Sequence, residues 1–264
     1  MEVIGYIASI LVGVVLGMLG GGGSILSIPI LVYLFGINPV LASAYSLFIV
    51  GTTSFVGAIP KYREQLVNLR TGILFGIPSI MAIFSTRKWV VPAIPEVVFE
   101  VGSFILTKRG LLLGLFALLM VLASFSLIRH KKEITSDSQN FRTILAIIQG
   151  LLIGFLTGLV GAGGGFLIIP ALVLLTGLPF KTAVGTSLFI IAINSLLGFV
   201  GDLLNYEIEW GFLLSVTSLA IIGILAGNFL SRKILSFYLR KAFGWLTLVI
   251  GILILIKEFV LNSD

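Results

Sequence analysis

Two stretches decide how this chain is read: GMLGGGGSILSIPIL (17–31) and GLVGAGGGFLIIPAL (158–172). At a shift of 141 residues they superpose without a gap, and the match runs on through Gly57 and Gly198. Of the 41 aligned pairs, 18 are identical. Gly17, Gly20, Gly22 and Gly23 fall on Gly158, Gly161, Gly163 and Gly164, Pro29 on Pro170, and Gly36 on Gly177. Ser46-Leu47-Phe48-Ile49 falls on Ser187-Leu188-Phe189-Ile190, and Ser54 and Gly57 on Ser195 and Gly198. Shared greasiness aligns one aliphatic residue with another, but it does not keep Gly, Pro and Ser in register. The chain is therefore an internal duplication.

Outward from these stretches the sequence is overwhelmingly apolar. Of 264 residues 58% are hydrophobic and 11% charged, against about 25% charged in a soluble domain. Apolar runs fall at 3–19, 24–36, 41–60, 71–86 and 110–128, and again at 143–160, 165–178, 183–201, 211–230 and 243–261. Lipid offers no partner to backbone groups, so runs of this kind are helices. The expected fold is an all-α polytopic membrane protein of two repeats, about five helical segments each. The segments at 24–36 and 165–178 are too short to cross comfortably. The expected organisation is an N-terminal repeat over 1–128, a basic cytoplasmic linker over 129–142 and a C-terminal repeat over 143–264. Between the fourth and fifth runs, Ile94, Val97, Val98, Val101 and Ile105 recur at helical spacing, with Glu96, Glu100 and Ser103 on another face. That spacing predicts an amphipathic helix over 87–109, lying at the interface.

The net charge of +6 sits in short clusters between apolar runs, which is the pattern that orients membrane proteins, not one that reads nucleic acid. With the linker inside and every segment crossing, 12 of 17 Lys and Arg residues are cytoplasmic and Asp202, Glu207 and Glu209 form an acidic outer loop. Both termini then face out. Arg87, Lys88, Lys108 and Arg109 fit this scheme poorly, since it places them outside. An odd number of segments per half makes the second repeat enter the membrane in the opposite sense, as in secondary transporters with short Gly/Pro-interrupted helices at matching positions. Gly20–Ser24 is then expected near the cytoplasmic end and Gly161–Gly165 near the outer end.

The chemistry available is that of neutral dipoles. A glycine turn opening a helix lets backbone N–H groups approach an anion at the positive end of the dipole. That makes Gly20, Gly21, Gly22, Gly23 and Ser24, with Gly161, Gly163, Gly164 and Gly165, candidate substrate contacts. The competing reading is close helix packing, for which Gly13/Gly17, Gly150/Gly154/Gly158 and Gly223/Gly227 have the right spacing. The helices that follow add Ser46, Thr52, Thr53 and Ser54 in one half and Thr186, Ser187, Asn194 and Ser195 in the other, either lining a path or bonding back to their own helix. No P-loop and no G-x-G-x-x-G is present, no segment core carries a charged residue, and the chain has no cysteine. No catalytic constellation, metal site or cofactor is expected, so the protein is not read as an enzyme.

The glycine stretches 17–31 and 158–172, repeated across eight to ten spans, resemble the TauE/SafE family of sulfite and organosulfonate permeases, and the run 85–110 resembles an insertion seen in some members. The resemblance covers essentially the whole chain. It implies a multi-pass carrier of the cell membrane whose partners are the lipid bilayer and a small sulfur-containing anion; the oppositely facing repeats add alternating access, and a negative cell interior favours export of an anion without a coupled ion. A dipole-lined anion channel and a non-transporting membrane subunit are the other classes compatible with these residues. Oligomeric state is not readable from the sequence.

Overall fold

The computed structural model describes residues 2–101, 104–128, 139–160, 164–175, 177–203 and 205–258. Every apolar run forms a helix. They are α1 (Glu2–Leu19), α2 (Gly22–Tyr33), α3 (Pro39–Arg63), α4 (Leu69–Ser85), α6 (Lys108–Ile128), α7 (Gln139–Val160), α8 (Gly165–Leu175), α9 (Phe180–Leu203), α10 (Trp210–Lys233) and α11 (Ser236–Ile256). Six segments among the described residues are long and apolar enough to cross a membrane, one of them the rod Leu69–Ala93 that prolongs α4. The chain is a multi-pass, all-α membrane protein. Helix α7 starts at Gln139, so it takes up part of the stretch read as linker; residues 129–138 lie outside the described residues.

The interval 87–109 does not form the interfacial helix its spacing predicts. Pro92 has no N–H to return to the carbonyl four residues back, and the backbone answers with a π turn over Thr86–Val90, where the Val91 N–H reaches the Thr86 carbonyl. A short helix α5 (Val91–Ala93) follows, and Ile94 then turns extended before Pro95, as a residue preceding proline prefers. Beyond it, β1 (Val97–Val101) and β2 (Phe104–Thr107) pair antiparallel, Val97 opposite Thr107 and Glu100 opposite Ile105. The β-branched residues that mimicked a helical stripe favour the pleated conformation instead.

The two halves repeat one another element by element. Helices α3 and α9 begin at Pro39 and Phe180, and α4 and α10 at Leu69 and Trp210, each pair 141 residues apart. Helices α6 and α11 begin only 128 apart, at Lys108 and Ser236, so the first half is longer by about the length of its β-hairpin. Packing repeats as well: α1 lies along α10 as α7 lies along α4, while α3 packs on α9 and α6 on α11. Side chains keep the register. A Cβ on Gly57 would meet Ile224, and one on Gly198 would meet the equivalent Ile83. Gly36 and Gly177 both adopt positive φ, at 72° and 68°. After each, an amide returns to the preceding short helix, Ile37 to the Leu31 carbonyl and Leu178 to that of Leu172. This is a glycine C-cap built twice.

The small-residue stripes serve packing. Cβ atoms on Gly13 and Gly17 would strike the backbone of α10 at Ala220 and Ile224, and those on Gly150 and Gly154 the carbonyls of Phe75 and Ser79 on α4. Backbones at this range gain dispersion contacts that lipid cannot supply. At the centre, Leu47, Val50, Ile190 and Ile191 on α3 and α9 are almost wholly buried.

Candidate functional site: two glycine bends and the helices between them

The first glycine bend is a tight reversal. Gly20 takes φ 66°, open to glycine at little cost, and α2 returns along α1, so that a Cβ on Gly23 would strike Leu16. In the second half Gly164 lies at φ 69° and its Cβ position would meet Thr157, the counterpart of Leu16. Each half thus carries a helical hairpin, α1–α2 and α7–α8, with glycine at the tip.

The tips touch. A Cβ on Gly21 would land on the Gly165 backbone, one on Gly165 would land on Gly21, and one on Gly20 would come within 2.9 Å of Ser187 Oγ and 3.1 Å of Ile169. The tips therefore cannot lie near opposite faces of a hydrocarbon layer about 30 Å thick, where the sequence reading puts them; they meet inside the protein. In the conformation seen here they are closed on each other, with no room for a side chain at Gly21 or Gly165. Gly22 opens α2. Gly161 and Gly163 lie outside the described residues.

The candidate hydroxyls divide into two groups. Ser24 donates to the Gly21 carbonyl at 2.6 Å and Ser187 to that of Val184 at 2.8 Å, so both turn back on their own backbone. Ser46 shares a hydrogen bond with Ser27 of α2 at 2.5 Å, and Thr186 Oγ1 accepts the Asn68 N–H at 2.9 Å. Thr52 is only partly buried. In contrast, Thr53 Oγ1, Ser54 Oγ, Ser195 Oγ and Asn194 Oδ1 are sealed from solvent with no hydrogen-bond partner among the described residues. These four are two repeat-equivalent pairs, Thr53 on Asn194 and Ser54 on Ser195, on the helices that pack at the centre. Asn194 Nδ2 donates to Ser79 Oγ at 2.6 Å. Ser79 can donate as readily as accept, and a turned amide would then present its own N–H group.

Two cavities follow one another along α1 and α10 toward Ser27. The outer one, about 430 Å³, is lined by Tyr6, Phe35, Ile37, Glu209, Phe212 and Ser215. The inner one, about 10 Å³, is lined by residues including Ser9, Ser27, Ile49 and Val216. It has room for roughly one water molecule.

Fixed charge is buried in the bundle, just past the ends of the apolar runs. Arg87, on the π turn, and Asp202, at the end of α9, are both fully buried, with Arg87 Nη1 3.5 Å from Asp202 Oδ2. Both guanidinium Nη atoms donate to Ser43 Oγ at 3.0 Å, while Arg87 Nε and both Asp202 oxygens lack a hydrogen-bond partner. Asp202 therefore does not belong to an exposed acidic loop. Lys61, on α3, is 5% exposed and donates to Ser231 Oγ at 2.9 Å. The other misfit cations are also engaged: Arg109 pairs with Glu258 at 2.9 Å, Lys108 is buried, and Lys88 lies over the rings of Phe84 and Trp89. Spacing within one run hides such pairs, because their partners come from distant helices. The repeat could have exposed them, since the same shift lays Lys61 on Asp202 and Arg87 on Asn228.

Comparison with known proteins agrees with this architecture. A probable membrane transporter protein of Xylella fastidiosa (strain Temecula1) is 29% identical over 94% of this chain and 93% of its own length. The probable membrane transporter protein YunE of Bacillus subtilis is 27% identical over 88% and 89%. One from Methanocaldococcus jannaschii is 31% identical over 75% of this chain and 70% of its own. No solved structure matches. The profile of the family described as Sulfite exporter TauE/SafE matches residues 6–254, and the chain belongs to that family of membrane transporters.

Proposed function

We propose that the protein is an alternating-access carrier that exports a small sulfur-containing oxyanion, sulfite or an organosulfonate. The observation that carries this reading is the quartet Thr53 Oγ1, Ser54 Oγ, Asn194 Oδ1 and Ser195 Oγ, polar atoms buried without a hydrogen-bond partner among the described residues at equivalent places in both halves. An unmet buried polar group costs about 1–3 kcal/mol. Hydroxyl and amide donors held in this way are those an oxyanion needs in exchange for its water. They hold it by dipoles, weakly enough to release it.

The matched halves supply the motion. On this reading the repeats enter the membrane in opposite senses, and the two hairpin tips, now closed at Gly21 and Gly165, are the elements whose parting admits the anion. Bistable packing of paired elements is how small shifts become gating. The relatives, probable membrane transporter proteins, support the transporter class, and the family's description as sulfite exporters supports sulfite. The positive-inside distribution supports an outward-facing Arg87 end and an inward-facing Lys61 end. With the interior negative, an outgoing monoanion gains about 2.3 kcal/mol per 100 mV, enough to drive export without a coupled ion. The buried Asp202 is the group that would serve proton coupling instead.

Flux in proteoliposomes, with sulfite, sulfate, thiosulfate and small sulfonates side by side, tests the reading. It predicts saturable flux of sulfite or a sulfonate that follows an imposed potential at constant pH. Strictly proton-dependent or electroneutral flux would reject potential-driven export, single-channel currents would point to a channel, and no flux of any anion would reject the carrier.

A further inference from the structure

The repeat relates two buried cationic sites that differ in one respect. At one, Arg87 of the π turn meets Asp202 at the end of α9. At the other, Lys61 near the end of α3 meets Ser231 of α10, and Asn228, the counterpart of Arg87, sits one turn earlier. Each site carries a single buried cation, on opposite members of the equivalent helix pairs. Only at the Arg87 site does a carboxylate stand in contact with the cation. Among the described residues no carboxylate stands within 4.0 Å of the Lys61 ammonium. Glu64, one turn on, is paired with Arg232 instead.

We infer that Lys61, with Ser231 and Asn228, forms a binding site for the transported oxyanion at the Lys61 end of the molecule, and that Asp202, the repeat counterpart of Lys61 itself, supplies Arg87 with the negative charge that the anion would bring to Lys61. The inference rests on the anion-carrier reading above. A buried ammonium with only a hydroxyl beside it retains most of its desolvation cost, and a small oxyanion seated there removes it. The site is held by two rungs between α10 and α3: Ser231 accepts from Lys61 Nζ at 2.9 Å and Asn228 Nδ2 donates to the Gly57 carbonyl at 3.1 Å. Ser231 in turn donates to the Asn228 carbonyl at 2.8 Å, while Asn228 Oδ1 is buried without a partner. Amide rotation presents N–H to an arriving anion. Arg232, on α10 beside Ser231, and Lys181, at the start of α9, add positive charge around Lys61, and Glu64 adds negative charge. Ser231→Asp would recreate at this end the arrangement that Asp202 makes at the other.

The test is calorimetric titration of the purified full-length protein with sulfite and with ethanesulfonate. The wild type binds one of them. Lys61→Gln and Ser231→Asp each weaken binding at least tenfold, Lys61→Arg keeps it within about threefold, and Ser231→Asp melts no lower than wild type because it gains an ion pair. Unchanged binding in folded Lys61→Gln or Ser231→Asp overturns the site while leaving the carrier reading intact. A wild type that binds neither anion overturns the anion reading and this site with it. Should Ser231→Asp not fold, Lys61→Gln against Lys61→Arg decides alone.

Discussion

Ser54 and Ser195 hold hydroxyls that find no carbonyl of their own helix to bond, unlike Ser24 and Ser187 a few residues away. Groups kept at a cost to stability are candidates for function. Ser54→Ala and Ser195→Ala are therefore expected to leave the melting temperature unchanged or slightly higher, while sulfonate flux falls at least fivefold. Arg87 and Asp202 behave in the opposite way. Removing one member of a buried pair costs about 3–5 kcal/mol, whereas exchanging both for apolar residues is often close to neutral. Arg87→Met should accordingly lower stability by that amount in unfolding measurements in detergent, and Arg87→Met with Asp202→Leu should recover most of it. At this scale the sequence was a partial guide. Thr53 and Asn194 were legible as polar residues in apolar helices, but what separates them from Ser24 and Thr186 is whether another helix brings a partner, and no spacing within one run encodes that.

At the level of elements, the ten apolar runs were readable because a helix in lipid satisfies its own backbone, so composition alone defines it. The segment 87–109 was not. Its apolar residues fit a helical stripe, and only Pro92 and Pro95 told against it by removing N–H groups at two steps. The glycine bends were visible as turns but misplaced, since the contact of Gly21 with Gly165 joins residues far apart in the chain. That contact yields an element-scale prediction. Gly21→Val and Gly165→Val each force a branched side chain into backbone, so both should reduce folded yield and melt lower than wild type. A glycine-to-alanine change at Gly76, whose Cβ position is open, should be tolerated within about 1 kcal/mol, since alanine favours helix over glycine by a similar amount.

For the whole molecule, the duplication is the feature from which the rest follows. It explains why α1 lies along α10 as α7 lies along α4, and why Thr53 and Ser54 are matched by Asn194 and Ser195. If the cargo is a monoanion moved without a coupled ion, a 100 mV potential corresponds to about 2.3 kcal/mol. Flux should then stop only when the gradient opposing it reaches about 50-fold, as fixed by the same electrical energy. Vesicles clamped with potassium and valinomycin would show this reversal point. The account stands or falls on the halves being opposed in the membrane. Because the chain has no cysteine, single cysteines at Asn38 and Pro179, exposed and 141 residues apart, can be labelled with a membrane-impermeant maleimide in intact cells and in inverted vesicles. Opposed halves predict that Asn38→Cys reacts from outside only and Pro179→Cys from the cytoplasmic side only; labelling of both from one side would contradict the account.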